Sequence, residues 1–203
     1  MPTLESSRPA AAFESTLQHG QAWCGQDITG WYWSEKLDGC RARWTGSELR
    51  SRGGHLIALP PRMAATLPAG MALDVEVYAG CGRQELTRLA VQCGRWDAAV
   101  HLVAFDAPDC PGDWLQRIAA AQAARVPTVP RGIVDSHSAL SQLLAHVQGR
   151  SGEGLIAAQP GRRYTPGRSS AALKVKDAAV FNQPDPIRKF CAAFDDTVTG
   201  ALA

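Results

Sequence analysis

The sequence predicts an α+β fold in which antiparallel sheets are flanked by helices. Three observations carry that expectation. Short apolar stretches with a two-residue alternation recur along the chain. Helical spacing is confined to a few separate segments. The two kinds of segment do not alternate as a regular strand–helix–strand series would. A chain of 203 residues, 45% of them hydrophobic, fits one large domain or one domain with appendages and can bury a sizeable core.

Residues 1–29 read as a weakly ordered leader. Its first twenty residues carry Glu5, Arg8 and Glu14 and no apolar core segment, so they are not a secretory signal. Residues 31–52 read as a β-hairpin. The aromatic run Trp31-Tyr32-Trp33 leads to Lys36, Asp38-Gly39 offers a tight turn, and Arg41-Ala42-Arg43-Trp44 alternates before Thr45-Gly46-Ser47. Residues 57–68 hold Pro60-Pro61 and a short helix-like stretch. Residues 71–78 alternate as a strand, with Asp74 and Glu76 on one face and Val75 and Val77 on the other. Residues 84–93 have helical spacing through Leu86, Leu89 and Ala90, and 100–105 form a short apolar strand. Residues 113–125 are an alanine-rich helix with Asp113 near its start, and Ser136 or Ser138 caps a further helix reaching Val147. Residues 155–158 and 172–176 are two more strands, joined by a glycine- and arginine-rich loop over 160–170. In the tail, Asn182-Gln183-Pro184-Asp185-Pro186 reads as a linker before an amphipathic turn or two over 187–194. Internal repeats and low-complexity segments are absent from the sequence.

The formal net charge of +2 says little, but its distribution says more. Between residues 150 and 176, Arg150, Arg162, Arg163, Arg168, Lys174 and Lys176 face Glu153 alone, a basic stretch of the kind that meets phosphates. The six cysteines form no C-x-x-C pair and have no histidine at zinc spacing, which fits unpaired thiols in a reducing compartment. Disulfides stay open, because the count is even. No apolar run approaches the ~20 residues that a membrane span needs.

Chemistry concentrates at Ser34-Glu35-Lys36-Leu37-Asp38-Gly39. A lysine nucleophile must shed a proton held at a pKa of ~10.4, and burial or neighbouring cations favour that loss. Lys174 and Lys176 stand two apart on a strand and so share a face, either as a cationic wall or as a solvated strand face. Glu153 sits between glycines, which let a backbone approach a ligand closely.

These segments occur in a fixed series: Lys36-Leu37-Asp38-Gly39, Ser51-Arg52-Gly53-Gly54, Leu73-Asp74-Val75-Glu76, Phe105-Asp106, Gly152-Glu153-Gly154-Leu155-Ile156 and Leu173-Lys174-Val175-Lys176. The series resembles the covalent nucleotidyltransferases (DNA ligases, RNA ligases and capping enzymes). Ser34-Glu35-Lys36 and Tyr164-x-x-Gly167-Arg168-Ser169 make it most similar to the minimal bacterial ATP-dependent DNA ligases of the E type. The resemblance covers residues 31–176.

The resemblance implies a nucleotidyltransferase (ATP-grasp-like) fold with an adenylylation domain over residues 30–177. It implies that Lys36 attacks the α-phosphate of ATP and becomes Lys-AMP, with Lys174 and Lys176 as further catalytic contacts to that phosphate. Glu35, Asp38, Arg41, Arg52, Glu76, Phe105 and Glu153 complete the implied ATP site. Arg41 reaches the ribose, and Arg52 reaches the nucleotide or the 5′-phosphate of a nick. Phe105 is either a core residue or the ring beneath adenine. Glu153 holds a divalent metal, Mg2+ or Mn2+, and Glu76 contacts the ribose or that metal. Arg162, Arg163 and Arg168 meet DNA, and the implied partner is nicked double-stranded DNA in replication, repair or recombination.

Three departures stand out. Val75 occupies a position where the family usually has glycine. E-type ligases often carry a secretory signal, so this N-terminus points to the cytoplasm. The 27 residues after Lys176 (177–203) are fewer than the ~50 a domain usually needs, so the expectation is a C-terminal tail over 178–203 in place of an OB-fold, with a separate protein supplying that function. The alternatives to a DNA ligase are an RNA ligase and a ligase-like module that binds nucleotide or nucleic acid without turnover.

Overall fold

A computed structural model of the chain describes residues 13–182. Ten strands form two five-stranded sheets. The first, from edge to edge, is β1 (Gln18–Ala22), β10 (Gly167–Val175), β9 (Gly154–Ala158), β2 (Tyr32–Lys36) and β8 (Arg131–Ile133). The second is β5 (Leu56–Ile57), β4 (Leu49–Ser51), β3 (Cys40–Trp44), β6 (Leu73–Tyr78) and β7 (His101–Asp106). Every paired strand is antiparallel except β1, which runs parallel to β10. Four helices, α1 (Pro61–Ala64), α2 (Gln84–Cys93), α3 (Trp114–Ala123) and α4 (His137–Gly149), complete the α+β architecture.

The helices begin where their capping chemistry allows. Asp113 accepts from the Gln116 N–H while the Gln116 side chain accepts from the Asp113 N–H, a reciprocal cap that opens α3. Trp114, Ile118 and Ala121 then face the second sheet's core, which also contains Trp44, Leu73 and Val75. Ser136, rather than Ser138, opens α4 by accepting from the Ala139 N–H. Leu140, Leu144 and Val147 recur at helical spacing and pack with Leu155, Leu173 and Val175 of the first sheet. The helix α2 keeps its expected bounds and stops at Gly94, whose φ of 65° is a conformation glycine adopts without strain.

The hairpin expected over 31–52 does not form as such. β2 pairs with β8 and β9 in the first sheet, whereas β3 pairs with β4 and β6 in the second. Residues 37–39 are the crossover between the sheets, and the true hairpin is β3–β4. Gly39 is needed there because a Cβ would lie 2.2 Å from the Val77 carbonyl oxygen on β6. Gly39→Ala is therefore expected to lower stability by roughly 1–3 kcal/mol, as overpacking does, read as a reduced urea midpoint. An unchanged midpoint would mean that the crossover can move away from β6.

Three other expectations change. The leader assigned to 1–29 contains β1, and Leu17, Trp23 and Ile28 are buried, because β1 adds an edge to β10. The loop assigned to 160–170 ends early, since β10 starts at Gly167. The tail assigned from 178 opens with a 3₁₀ turn, Ala178–Asn182, in which Val180 is buried and Phe181 packs 4.7 Å from the Trp23 ring. The linker over 183–186 and the turns over 187–194 lie outside the described residues. β1, β5 and β8 had no expected counterpart as strands. Cys40, Cys81, Cys93 and Cys110 are free thiols. Among the described residues no helix is long and apolar enough to cross a membrane.

Candidate active site

A cleft of about 600 Å³ opens between the two sheets. The crossover after β2 places Lys36 on its wall, at the last residue of the strand. Strand register then decides what surrounds it. Lys36 is level with Gly154, the first residue of β9, and Leu155 is level with Val175, the last residue of β10. Glu153, just before β9, and Lys176, just after β10, therefore meet Lys36 at one end of the sheet. The Glu153 carboxylate accepts from Lys36 through Oε2 and from Lys176 through Oε1. Burial alone would raise the Glu153 carboxyl, but the two ammonium groups hold it below its usual range. Gly154 has φ +150°, and a Cβ there would lie 2.5 Å from the Val175 carbonyl oxygen. Glycine thus lets β9 and β10 close up at this point.

Lys174 is an exposed residue of β10, two residues before Lys176. Burial first, and then the charges of Lys36, Lys176, Arg52 and Arg168, push its pKa below the usual lysine value. The cleft wall is thus cationic.

The second sheet supplies the opposite wall. Glu76 of β6 reaches into the cleft and accepts from the Gly39 N–H, while Val75 and Val77 are fully buried on the other face. Burial pushes the Glu76 carboxyl up to about 7, against the pull of Lys36 and Arg41. A raised carboxyl stabilises the fold below its ordinary value of 4.5, and that contribution is lost as pH rises to about 7. Glu76→Gln, which mimics the protonated form, is expected to match the parent near pH 5 and to exceed it at pH 8 in urea midpoint. Parallel pH profiles for the two would show that Glu76 is ionised throughout.

Deeper in the cleft, Asp74 is fully buried and accepts from Arg41 Nη2 and Arg43 Nε, both at 2.7 Å, and from the Tyr164 hydroxyl at 2.8 Å. The Arg41 guanidinium lies 5.2 Å from the centre of the Phe105 ring. Phe105 packs against the core and also lines the cleft. Behind it, Arg117 and Asp106 form a buried pair at 2.7 Å.

The structure gathers Lys36, Lys174, Lys176, Glu76, Arg41, Arg52, Phe105, Arg162 and Arg163 around this cleft, and Glu153, outside the lining, pairs with Lys36 and Lys176. The remaining expected residues stand apart. Glu35 touches the cleft, but its buried carboxylate accepts from Arg150 at 2.5 Å. Asp38 is not in the lining and accepts from the Gln84 side chain at the start of α2. Arg168 is exposed outside the lining, level with His19 of β1. Arg52 donates through Nε to Glu14 at 2.6 Å. Residues without an expected role also line the cleft: His19, Asp74, Arg117 and Tyr164. The alternation of Arg43 with Arg41, and of Asp74 with Glu76, was the available signal for the Asp74 cluster. Nothing in the sequence marked Arg117 or His19.

The residues present fit a divalent cation held jointly with a phosphate ligand. The Glu153 charge is near enough to oppose ionisation of Glu76. Among the described residues no three acids, histidines or cysteines form a metal cluster. Magnesium is commonly held in that way, by one or two carboxylates with substrate phosphates.

No protein-family model matches the chain. A DNA ligase of Haemophilus influenzae is 32% identical over 162 residues, which are 75% of this chain and 60% of that ligase. The chain thus spans 60% of the length of this curated relative. Among solved structures, one from a structure–function study of the minimal-scaffold Lig E DNA ligases superposes with a TM-score of 0.71 at 32% identity, covering 79% of this chain and 68% of that one. The Chlorella virus DNA ligase-adenylate superposes with a TM-score of 0.67 at 17% identity, over 79% of this chain and 68% of that one, a likeness of fold.

Proposed function

We propose, since the chain belongs to the ATP-dependent DNA ligases of the minimal Lig E kind, that it activates nicked DNA through a Lys36–AMP intermediate. The observation that supports this most directly is the convergence of Lys36, Glu153 and Lys176 at one end of the first sheet.

In this reading the Lys36 amine attacks the α-phosphorus of ATP. The N–P bond forms as the bond to the bridging oxygen breaks, and pyrophosphate leaves. AMP then passes to the 5′-phosphate of the nick, and the 3′-hydroxyl displaces it as the strand is sealed. Negative charge builds on phosphate oxygens at each step, where fixed cations stabilise it most. Lys174 and Lys176 supply that charge from β10. Arg52 engages phosphate with a planar fork once it leaves Glu14. Glu76 and Glu153 would hold Mg2+ or Mn2+, whose chemistry here is to neutralise phosphate charge. Arg162, Arg163 and Arg168 contact the DNA backbone, and Phe105 lies flat beneath the base, as aromatic rings do for any nucleobase.

The test is incubation with α-labelled ATP and magnesium, denaturing electrophoresis, and a parallel gel assay on a nicked duplex. Label that stays on the denatured chain, together with ligated product, is the expected result. Absence of both would overturn the reading.

A further inference from the structure

The loop between β9 and β10, residues 159–166, carries Arg162 and Arg163, which are exposed and line the cleft. Its backbone is held from the start of α3. The Asp113 carboxylate divides its work between its two oxygens. Oδ1 accepts from the Gln116 N–H at 3.2 Å and caps the helix, which needs no more than one oxygen. Oδ2 accepts from the Gly161 N–H at 3.1 Å, 48 positions along the chain, and from the Tyr32 hydroxyl at 3.3 Å. One turn into the helix, Arg117 donates through Nη1 to the Arg162 carbonyl at 3.3 Å, while its Nε and Nη2 stay on Asp106. Tyr164 completes the series, with its ring 5.8 Å from the Arg117 guanidinium and its hydroxyl on Asp74 at 2.8 Å. The backbone is thus fastened at Gly161 and Arg162 and the chain again at Tyr164. The Arg162 side chain is tied within the loop, to Gln159 at 3.2 Å.

We propose that Asp113 is a positioning residue for DNA binding: through Gly161 it holds the 159–166 loop in place, so that Arg162 and Arg163 meet the phosphate backbone without the loop first having to order. Immobilising a loop and its long side chains opposes association, and a loop already fastened avoids that cost. An acid is an unexpected choice so near a polyanion, since its charge repels phosphate. Its place here is explained by the two N–H groups it accepts from at once, one on the helix and one on the loop. The inference rests on the reading of this loop as a DNA contact.

The decisive variant is Asp113→Asn. The amide keeps an oxygen for the Gln116 N–H, and asparagine caps helices as well as aspartate does. Its NH2 group replaces Oδ2 and meets the Gly161 N–H donor to donor. Affinity for a fluorescent nicked duplex with a 5′-phosphate is measured by anisotropy in a Lys36→Ala background, where no covalent step intervenes. Removing a negative charge should by itself tighten binding to a polyanion, whereas loss of positioning weakens it, so the sign of the change decides. Asp113→Asn is expected to weaken the duplex about tenfold, the scale of ordering two long side chains. With Arg162→Ala and Arg163→Ala both present, the same change should alter affinity by less than about twofold, because nothing is left to position. In the Lys36 chain, labelling by ATP should stay within about twofold, which also reports an intact fold. Unchanged or tighter duplex binding would overturn the proposal. So would an equal loss with and without the two arginines, which would leave Asp113 a support of the fold alone. If the arginine pair can be removed without loss of duplex binding, the DNA reading of the loop fails and this inference with it. The expected duplex pattern without any labelling of the Lys36 chain would sink the ligase reading while leaving this inference standing.

Discussion

Lys36→Ala is expected to abolish covalent labelling by α-labelled ATP and to leave the fold nearly untouched. Lys36 ends β2, where the chain crosses from the first sheet to the second. Removing it leaves Glu153 paired with Lys176, so no carboxylate is stranded without a cation. The urea midpoint should therefore stay within about 1 kcal/mol of the parent, the scale of a partly exposed ion pair. Arg88→Ala, on the exposed side of α2, should keep full labelling. Label persisting on the Lys36→Ala chain would remove Lys36 from the mechanism.

Asp74→Ala is expected to have the largest effect on stability, about 3–5 kcal/mol, as when one partner of a buried ion pair is removed. Asp74 is inaccessible to solvent, and the side chains of Arg41 and Arg43 are only 19% and 11% exposed. Without the carboxylate, two guanidinium groups would share a poorly hydrated site. Burial alone would raise the Asp74 carboxyl, but Arg41, Arg43 and Tyr164 hold it below its ordinary value of 3.8. A lowered carboxyl stabilises the fold above that value and loses its contribution as pH falls further below it. The gap between the parent and Asp74→Asn should thus be widest near neutrality and narrow below pH 3.8. Urea midpoints at the two pH values test this. A loss under about 1 kcal/mol for Asp74→Ala at pH 7 would mean that water replaces the carboxylate, contrary to its burial.

Local signals in the sequence located most helices and the longer strands. The spacing through Leu86, Leu89 and Ala90 marked α2 at its observed bounds, and Asp113 and Ser136 marked two helix starts. The alternation of Asp74 and Glu76 with Val75 and Val77 showed which face of β6 turns to the core. Features set by distant partners were not legible. Asp38-Gly39 reads locally as a hairpin turn, yet what demands glycine is the Val77 carbonyl on another strand. Gln18–Ala22 is short and polar, and becomes a strand only because β10 lies beside it. The motif lysines and glutamates were legible because each carries its own chemistry. Asp74 was not, since its role depends on Tyr164, ninety residues further on.

The two sheets differ in how much of the chain each must wait for. The second draws all five strands from one unbroken stretch between Cys40 and Asp106. The first joins strands from both ends, and β1 pairs with β10 across most of the described chain. Closing so long a loop is entropically disfavoured and slow compared with forming neighbouring pairs. During synthesis the second sheet can therefore assemble well before the first is complete. Lys36, made early, then has no Glu153 and no Lys176 beside it. A nascent chain thus carries Lys36 through the synthesis of the whole second sheet without these two partners, and gains them only once β9 and β10 have left the ribosome.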